Sequence, residues 1–270
     1  MQAMGKNWSK GLTAATDPRV ARNAAAHRGM TYMRHLPPGA DRRMVKRREA
    51  DLAWSPRMAY VVGLMATDGC LVNDNRHLVF TTCDRQLAEV FLECLGSSAH
   101  YHTGKTAKGN DVFRVQLGDV ALYRWLETIG LHQRKSLTLG AIDVPKEFLA
   151  DLVRGLLDGD GTIANFVHRP TLRTSPDYLY ERLQVRFGSA SRAHLEWLRG
   201  QVRSVLPISA AIIPAKPRPG RHAYFNLAYA KHASLALLSW LYADPAAPRL
   251  LRKWQIWESY RLRHCAEGGI

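Results

Sequence analysis

The chain has 270 residues, of which 46% are hydrophobic and 23% charged, an ordinary balance for a globular protein of one or two domains. No apolar stretch approaches the roughly 20 residues that a membrane span needs. Residues 1–16 also contain no apolar segment typical of a secretory signal. We therefore expect a cytoplasmic protein that is neither secreted nor held in a membrane.

The net charge is the first indication of a partner. A charge of +15 and a pI near 10.0 exceed what solubility requires and predict binding to a polyanion such as nucleic acid. RNA-binding proteins carry similar charge, so this feature does not separate DNA from RNA. A basic surface without a partner stays open as an alternative.

The cysteines and histidines do not form a metal-binding pattern. The four cysteines include no CxxC pair and no histidines at zinc-finger spacing, so we expect them to be reduced and buried. His100 and His102 are two residues apart, which is typical of one strand face.

Residues 1–50 differ in composition from the rest of the chain. They contain eleven Lys or Arg residues and three acids, and therefore carry +8 of the total charge. Thr16-Asp17-Pro18 predicts the start of a helix over Arg19–His27, and Pro37-Pro38-Gly39 predicts a linker. A basic N-terminal arm along phosphates and a solubilising tail both fit this composition.

From residue 51 onward the chain repeats one order of elements. The order is helix, strand, strand, helix, strand, strand, helix, which predicts an α+β protein with related half-domains at 51–140 and 141–270. Each half-domain begins with an apolar helix ending in an acid between small residues, within Tyr60–Gly69 and Leu152–Gly161. The later predicted elements are strand 77–82, helix 85–95, strand 113–117 and helix 120–129, then strand 182–187, helix 192–205, strand 223–227 and helix 231–241.

The predicted strands alternate apolar and polar residues, as sheets with one face in the core do. Arg, Gln and Asn on the polar faces can make bidentate contacts with base edges in the major groove. A solvated face is the common interpretation of such alternation, but its repetition in a chain of +15 favours DNA. The predicted DNA-contacting residues are Arg76, Arg114, Gln116, Arg169, Arg173, Arg182, Gln184, Arg186, Lys216, Arg218, Arg221, Tyr224 and Asn226.

The two apolar helices resemble the paired motifs of double-motif, monomeric LAGLIDADG homing endonucleases. The segment Gly155–Gly161 (GLLDGDG) is a close match and Gly63–Gly69 (GLMATDG) a looser one, and the two acids Asp68 and Asp160 are 92 residues apart. The resemblance covers about 210 residues. It implies two pseudo-twofold-related αββαββα half-domains whose antiparallel sheets form a DNA-binding saddle, preceded here by the basic extension.

The motif residues also have a direct physical interpretation. Gly63 and Gly155 lack side chains, which lets two helices approach closely, and the resemblance implies that these helices pack at the pseudo-twofold axis. Asp68 and Asp160 end their helices, where Gly69 and Gly161 occupy a typical C-cap position. A carboxylate at a helix C-terminus and beside a like charge is unfavourable, so we expect a compensating cation. Oxygen ligands favour Mg²⁺. The resemblance implies that Mn²⁺ can substitute and that Ca²⁺ can bind without cleavage.

The resemblance implies which residues act on DNA. Asp68 and Asp160 would hold metal beside the two scissile phosphates, together with the backbone of Gly69 and Gly161 and the neighbourhood of Ala66, Thr67 and Gly159. Lys135 and Lys253 match the family's basic residues near the active site, although each could be an ordinary surface lysine. Asp158 has Ala66 as its counterpart in the first motif, so packing or capping suits it better than metal binding.

The expected function is cleavage of both strands of a long, non-palindromic duplex, with short 3′ overhangs, by a monomer. Two alternatives stay open. One is an RNA maturase that assists intron splicing, and the other is a DNA-binding regulator on a degenerate LAGLIDADG scaffold, although regulators typically lose the acids. An intron-encoded protein of an organelle would work in the organelle matrix. The chain lacks the splice-junction residues of an intein.

Overall fold

The computed structural model describes residues 13, 15–18, 21, 52–168, 180–217, 219–220 and 222–265. Met1–Val45 and Lys46–Ile270 are separate compact units. In the first unit, Pro18 and Ala21 are helical and the Ala21 N–H donates to the Asp17 carbonyl at 3.0 Å, so a helix begins where Thr16-Asp17-Pro18 predicts it. The remainder of the predicted helix 19–27 and the linker 37–39 lie outside the described residues.

The second unit starts with helix α1, whose ends are set by local chemistry. Ser55 is its N-cap and accepts a hydrogen bond from the Met58 N–H at 3.1 Å, and Pro56 occupies the first helical position, where its missing N–H has no consequence. The elements of this first half are α1 (Pro56–Thr67), β1 (Gly69–Leu71), β2 (His77–Thr82), α2 (Arg85–Cys94), β3 (Tyr101–Lys105), β4 (Asp111–Gly118) and α3 (Val120–Thr128).

The second half repeats this order after two short 3₁₀ turns, Lys135–Leu137 and Lys146–Phe148. The half-domain boundary expected near residue 140 falls in the irregular segment between these turns. The elements of the second half are α4 (Leu149–Asp158), β5 (Thr162–His168), β6 (Tyr180–Ser189), α5 (Arg192–Val205), β7 (Ala211–Pro214), β8 (Phe225–Tyr229), α6 (Lys231–Leu241) and a further helix, α7 (Leu251–Cys265).

Each half contains one antiparallel four-stranded sheet, and the two sheets have the same strand order. The orders are β1-β2-β4-β3 and β5-β6-β8-β7. The registers also correspond, because Phe80 pairs with Val115 in the first sheet and Phe187 pairs with Leu227 in the second. The alternating pattern places Leu183, Val185 and Phe187 in the core. The structure thus confirms the predicted α+β class and its two αββαββα halves.

The core is centred on α1 and α4, which cross at two glycines. A Cβ placed on Gly63 would lie 2.7 Å from the Leu156 nitrogen and 2.8 Å from the Gly155 Cα, and one on Gly155 would lie 3.0 Å from the Gly63 Cα. Each glycine faces the backbone of the residue three positions before the other glycine, Leu152 or Tyr60. This reciprocal contact relates the two halves by an approximate twofold rotation, and any side chain at either position would force the helices apart.

Two expectations about local structure were wrong. The strand predicted at 223–227 lies at Phe225–Tyr229, because the partner strand β6 ends at Ser189, opposite Phe225. Cys70 and Cys83 are exposed and Cys94 is half-buried, although burial was expected for all the cysteines. Cys70 lies in a short edge strand and Cys83 in a bend, which leaves both exposed, whereas Cys94 packs against the edge of the core. Among the described residues, no helix combines the length and apolar character needed to cross a membrane.

Candidate active site

The glycine contact brings the ends of α1 and α4 together, and with them the two acids. At that end a Cβ on Gly159 would lie only 2.8 Å from the Cβ of Thr67. Thr67 immediately precedes Asp68, and Gly159 immediately precedes Asp160. Both acids therefore emerge side by side at the same end of the helix pair, one from each half.

The glycines that follow the acids do not act as the predicted C-caps. Neither Gly69 nor Gly161 has the positive φ that a left-handed cap requires. Asp68 itself is the C-cap residue of α1, and Asp160 lies in the turn two residues after the end of α4. A Cβ at either glycine would lie 2.6 Å from the Cα of the residue four positions earlier, Met65 or Leu157. Glycine is needed there because the chain turns back closely against its own helix.

The two carboxylates are electrostatically unfavourable in this position. Burial, followed by the charge of Asp160, raises the pKa of Asp68 to about 7, against opposing effects of Lys253 and Lys135. Burial likewise raises the pKa of Asp160, and the same two lysines oppose the shift. Asp68 thus keeps its proton to higher pH than a free carboxyl does, and a cation between the acids would favour the charged form of both.

Lys135 lies at the start of the first 3₁₀ turn and is buried, with 6% of its surface exposed. Its Nζ donates to the carbonyl of Gly69, the residue after Asp68. Burial lowers the pKa of Lys135, whereas Cys70, Asp68 and Asp160 favour its charged form. It is a buried ammonium beside the acids, which excludes the alternative of an ordinary surface lysine.

Lys253 is also buried, with 4% of its surface exposed, and it extends from α7 to the end of α4. Its Nζ donates to the carbonyls of Leu157 (2.7 Å), Asp158 (2.9 Å), Gly159 (3.1 Å) and Gly161 (2.7 Å). Burial lowers the pKa of Lys253 to about 8. The interpretation as a surface lysine is wrong here too, because this side chain satisfies the carbonyls at the end of a buried helix.

Asp158, the other acid of the second motif, faces away from this pair. It is buried, and its Oδ2 accepts from the Tyr60 hydroxyl and from the Leu250 N–H, both at 2.8 Å. Burial raises its pKa to about 6. Asp158 thus joins α4 to α1 and to the start of α7. Ala66, its counterpart in the first motif, is buried and contributes no polar atom.

The donor set at the acid pair suits a hard divalent cation that completes its shell with water and phosphate oxygens. The described residues contain no group of three or more His, Cys, Asp or Glu side chains that could hold a metal ion. Two carboxylates are nevertheless the typical protein contribution to a Mg²⁺ site that also uses substrate phosphates. The backbone carbonyls of Gly69 and Gly161, which are predicted to take part in metal binding, accept from Lys135 and Lys253 and keep a second lone pair each. Asp68 and Asp160 are therefore the side-chain donors that fit a metal.

The residues predicted to contact DNA fall into several classes. On β6, Arg182 and Arg186 are exposed, but Gln184 is buried because the Arg186 guanidinium covers it and donates to its Oε1, the Nε atom at 2.8 Å. Gln184 therefore orients an arginine, which corrects the expectation that it meets bases. Also exposed are Arg76, Arg114, Gln116, Lys216 and Tyr224, whereas Asn226 is half-buried. Arg169, Arg173, Arg218 and Arg221 lie outside the described residues.

One buried residue of the second motif helix, Arg154, was not among the predicted site residues. Arg154 has 2% of its surface exposed, and its guanidinium donates to the carbonyls of Pro248 (2.8 Å) and Leu241 (2.7 Å) and to Asp151. It lies 5.9 Å from the centre of the Tyr60 ring. The available signal was an arginine within the apolar run 152–157. This network holds α4 against the C-terminal part of the chain.

Comparisons with known proteins give distant likenesses. No family model matches the chain. A segment of 111 residues is 28% identical to a component of the A-type ATP synthase of Methanopyrus kandleri and covers 40% of this chain but 11% of that protein. Among solved structures, full-length DUF199/WhiA from Thermatoga maritima has 14% identity and a TM-score of 0.47, over 80% of this chain and 64% of that one.

The other similar structures include a homing endonuclease. Mesophilic variants of I-DmoI have 16% identity and a TM-score of 0.44, over 70% of this chain and 96% of theirs. I-DmoI in complex with DNA and Ca has 16% identity and a TM-score of 0.43, over 70% and 90%. Because these TM-scores are below 0.5, the fold and the site described above rest on the helices, strands and side chains of this chain alone.

Proposed function

We propose that this chain is a site-specific DNA endonuclease of the LAGLIDADG homing type, acting as a monomer with Mg²⁺ on both strands of a duplex. The observation that supports it most is the position of Asp68 and Asp160 at abutting helix ends, one from each half. Burial raises both of their pKa values, and buried lysines contact the adjoining backbone. Two acids held together against their mutual repulsion are typical of a site for cations and phosphate, and serve no purpose in packing.

In this mechanism the carboxylates of Asp68 and Asp160 would hold a divalent cation. A bound divalent cation supplies Lewis-acid chemistry, making water more acidic and neutralising charge on the phosphate. Lys135 donates from its ammonium to an oxygen of the phosphate or to water beside it, since an ammonium has three donors and the residues that the structure describes provide one acceptor. The expected products carry 5′ phosphates and short 3′ overhangs.

The sheets of the two halves would read unlike DNA sequences. In the first sheet Arg114 and Gln116 are exposed on one face of β4, and in the second Arg182 and Arg186 are exposed on β6. Arginine pairs with guanine edges and glutamine with adenine edges. Since these residues differ between the halves, the preferred site is non-palindromic.

The test is cleavage of a randomised duplex library with Mg²⁺, comparing the full chain with Asp68→Asn and Asp160→Asn. We expect the parent to enrich one long site and both variants to lose double-strand cleavage while keeping affinity for that site. Mn²⁺ should replace Mg²⁺, and Ca²⁺ should support binding without cleavage. Asp143→Asn, which alters an exposed acid outside the helix pair, is the matched control and should cut like the parent.

Full activity in either acid variant contradicts the assignment. Tight, sequence-specific binding by a parent that cuts with none of these metals would favour the DNA-binding regulator instead. The maturase alternative makes a different prediction, because structured intron RNA should then compete with duplex DNA for the protein. Retention of both acids in this chain favours cleavage over both alternatives.

A further inference from the structure

The two halves of the acid pair are not equivalent, although their backbones correspond. Resting on the function proposed above, we propose that Lys135 is the hydrogen-bond donor to phosphate in the first half, that Tyr224 takes this role in the second half, and that Lys253 is a structural helix cap. One strand is then cut with help from an ammonium and the other with help from a phenol.

Lys253 cannot donate to a substrate in this arrangement. An ammonium has three N–H donors, and the Nζ of Lys253 lies within 3.1 Å of four backbone carbonyls, at Leu157, Asp158, Gly159 and Gly161. These acceptors surround the end of α4, where helix carbonyls lack partners of their own. Reaching a phosphate would leave several buried carbonyls unpaired, so the side chain stabilises the helix end.

Lys135 corresponds to Lys253 in the first half, but its surroundings differ. Among the residues that the structure describes, its Nζ has one acceptor, the Gly69 carbonyl. The Thr67 hydroxyl donates within its own helix, to the Leu64 carbonyl at 3.0 Å, and that carbonyl also accepts from the Asp68 N–H. Two N–H donors of Lys135 thus stay available beside Asp68.

Tyr224 occupies the equivalent space beside Asp160. Its ring lies over Gly188, where a Cβ would be 2.9 Å from both Cε1 and Cζ of the phenol and closer still to the hydroxyl. Gly188 and Asp160 line the same small cavity, of about 30 Å³. The ring of Tyr224 thus lies next to a residue of the cavity that Asp160 lines, while 43% of the side chain is exposed and can meet a ligand.

The electrostatics agree with this placement. Burial raises the pKa of Tyr224, and the charges of Asp160 and then Asp68 raise it further. The phenol therefore stays protonated at neutral pH and can donate a hydrogen bond to an anionic oxygen.

The strand registers show that the first half lacks such a group. Phe80 pairs with Val115 and Phe187 with Leu227, so Thr81 corresponds to Gly188 and Val112 corresponds to Tyr224. Threonine in place of glycine fills the position over which a ring would lie, and valine has no hydroxyl. The tyrosine and the glycine that makes room for it occur together in the second half.

The test measures the rate of cleavage of each strand separately. The two strands of the duplex recovered from the library carry different fluorophores, and the reactions are single-turnover with Mg²⁺. We expect Tyr224→Phe to slow cleavage of one strand about tenfold, the effect of one neutral hydrogen bond. Lys135→Met should slow the other strand about 100-fold. Gly188→Ala should reproduce the Tyr224→Phe pattern by displacing the ring. Tyr180→Phe, at an exposed tyrosine of β6, is the control and should change neither rate.

Lys253→Met should act on the fold rather than on one strand, with a melting temperature several degrees lower. Equal slowing of both strands by Tyr224→Phe, or no slowing, overturns the proposal. So does a Lys253→Met variant that melts like the parent and loses one cut. If the parent cuts nothing, NMR of ¹³Cζ-labelled tyrosine tests the position of Tyr224 independently of cleavage. The Tyr224 resonance is identified by its loss in Tyr224→Phe. We expect it to shift in Asp160→Asn and on addition of Ca²⁺. An unmoved resonance refutes the placement.

Discussion

Burial of Asp68, together with its repulsion from Asp160, makes stability depend on pH in a predictable direction. Asp68 has a pKa of about 7 in the folded chain and about 3.8 when unfolded, so folding favours its protonated form. The associated stability is fully present below pH 4, and it is lost as the pH rises through 7. Moving a pKa over this interval corresponds to about 4 kcal/mol, and solvent screening at the half-buried side chain reduces this to roughly 2–4 kcal/mol.

Asp68→Asn removes the charge and with it most of this dependence. When the pH rises from 4.5 to 8 in EDTA, we expect the melting temperature of the parent to fall by about 5–10 °C more than that of the variant. This figure uses 2–4 °C per kcal/mol for a unit of this size. The assay is thermal unfolding followed by circular dichroism at both pH values. Ca²⁺ should raise the melting temperature of the parent at pH 8 and leave the variant nearly unchanged. Equal pH profiles for parent and variant in EDTA would refute the reasoning.

Two further predictions concern the contacts that create the site. Gly63→Ala should destabilise the protein by at least about 3 kcal/mol in urea unfolding, because its Cβ would overlap the backbone of α4. The control is Gly200→Ala, at an exposed helix position with open space around it, which should be neutral or stabilising by up to about 1 kcal/mol. Equal effects of the two substitutions would contradict the close helix contact. Tyr60→Phe removes one of two donors to buried Asp158 and should cost about 1–3 kcal/mol without changing Ca²⁺ affinity measured by calorimetry. A lost Ca²⁺ site would place Asp158 in the metal centre instead.

Most helices and strands could be predicted because their signals are local. Helix α5 begins after Ser191, whose side chain accepts from the His194 N–H, and β2 has the bounds predicted for it, residues 77–82. Such patterns depend on neighbours in the chain, which the sequence displays directly. The strand at 223–227 was misplaced because its limits depend on where β6 ends, a distant part of the chain.

In the candidate site, too, some features could be predicted from the sequence and others could not. The resemblance of the two glycine- and acid-containing helices to the LAGLIDADG motif implied that Asp68 and Asp160 meet. The roles of the lysines were not predictable, because Lys253 finds its carbonyls 92 to 96 residues away and Lys135 finds Gly69 66 residues away. The burial of Gln184 under Arg186 likewise depends on side-chain packing that the alternating pattern does not show.

The sequence by itself determined the repeated order of elements, the basic charge and the paired acids, because periodicity, composition and motif spacing are properties of the chain. Only the tertiary structure decided how the halves differ. A buried ammonium donates to the acceptors that surround it. Lys253 donates to the carbonyls at the end of α4, whereas among the described residues Lys135 has one acceptor, the Gly69 carbonyl. Tyr224 lies over Gly188, 36 residues earlier in the chain, because β6 pairs with β8.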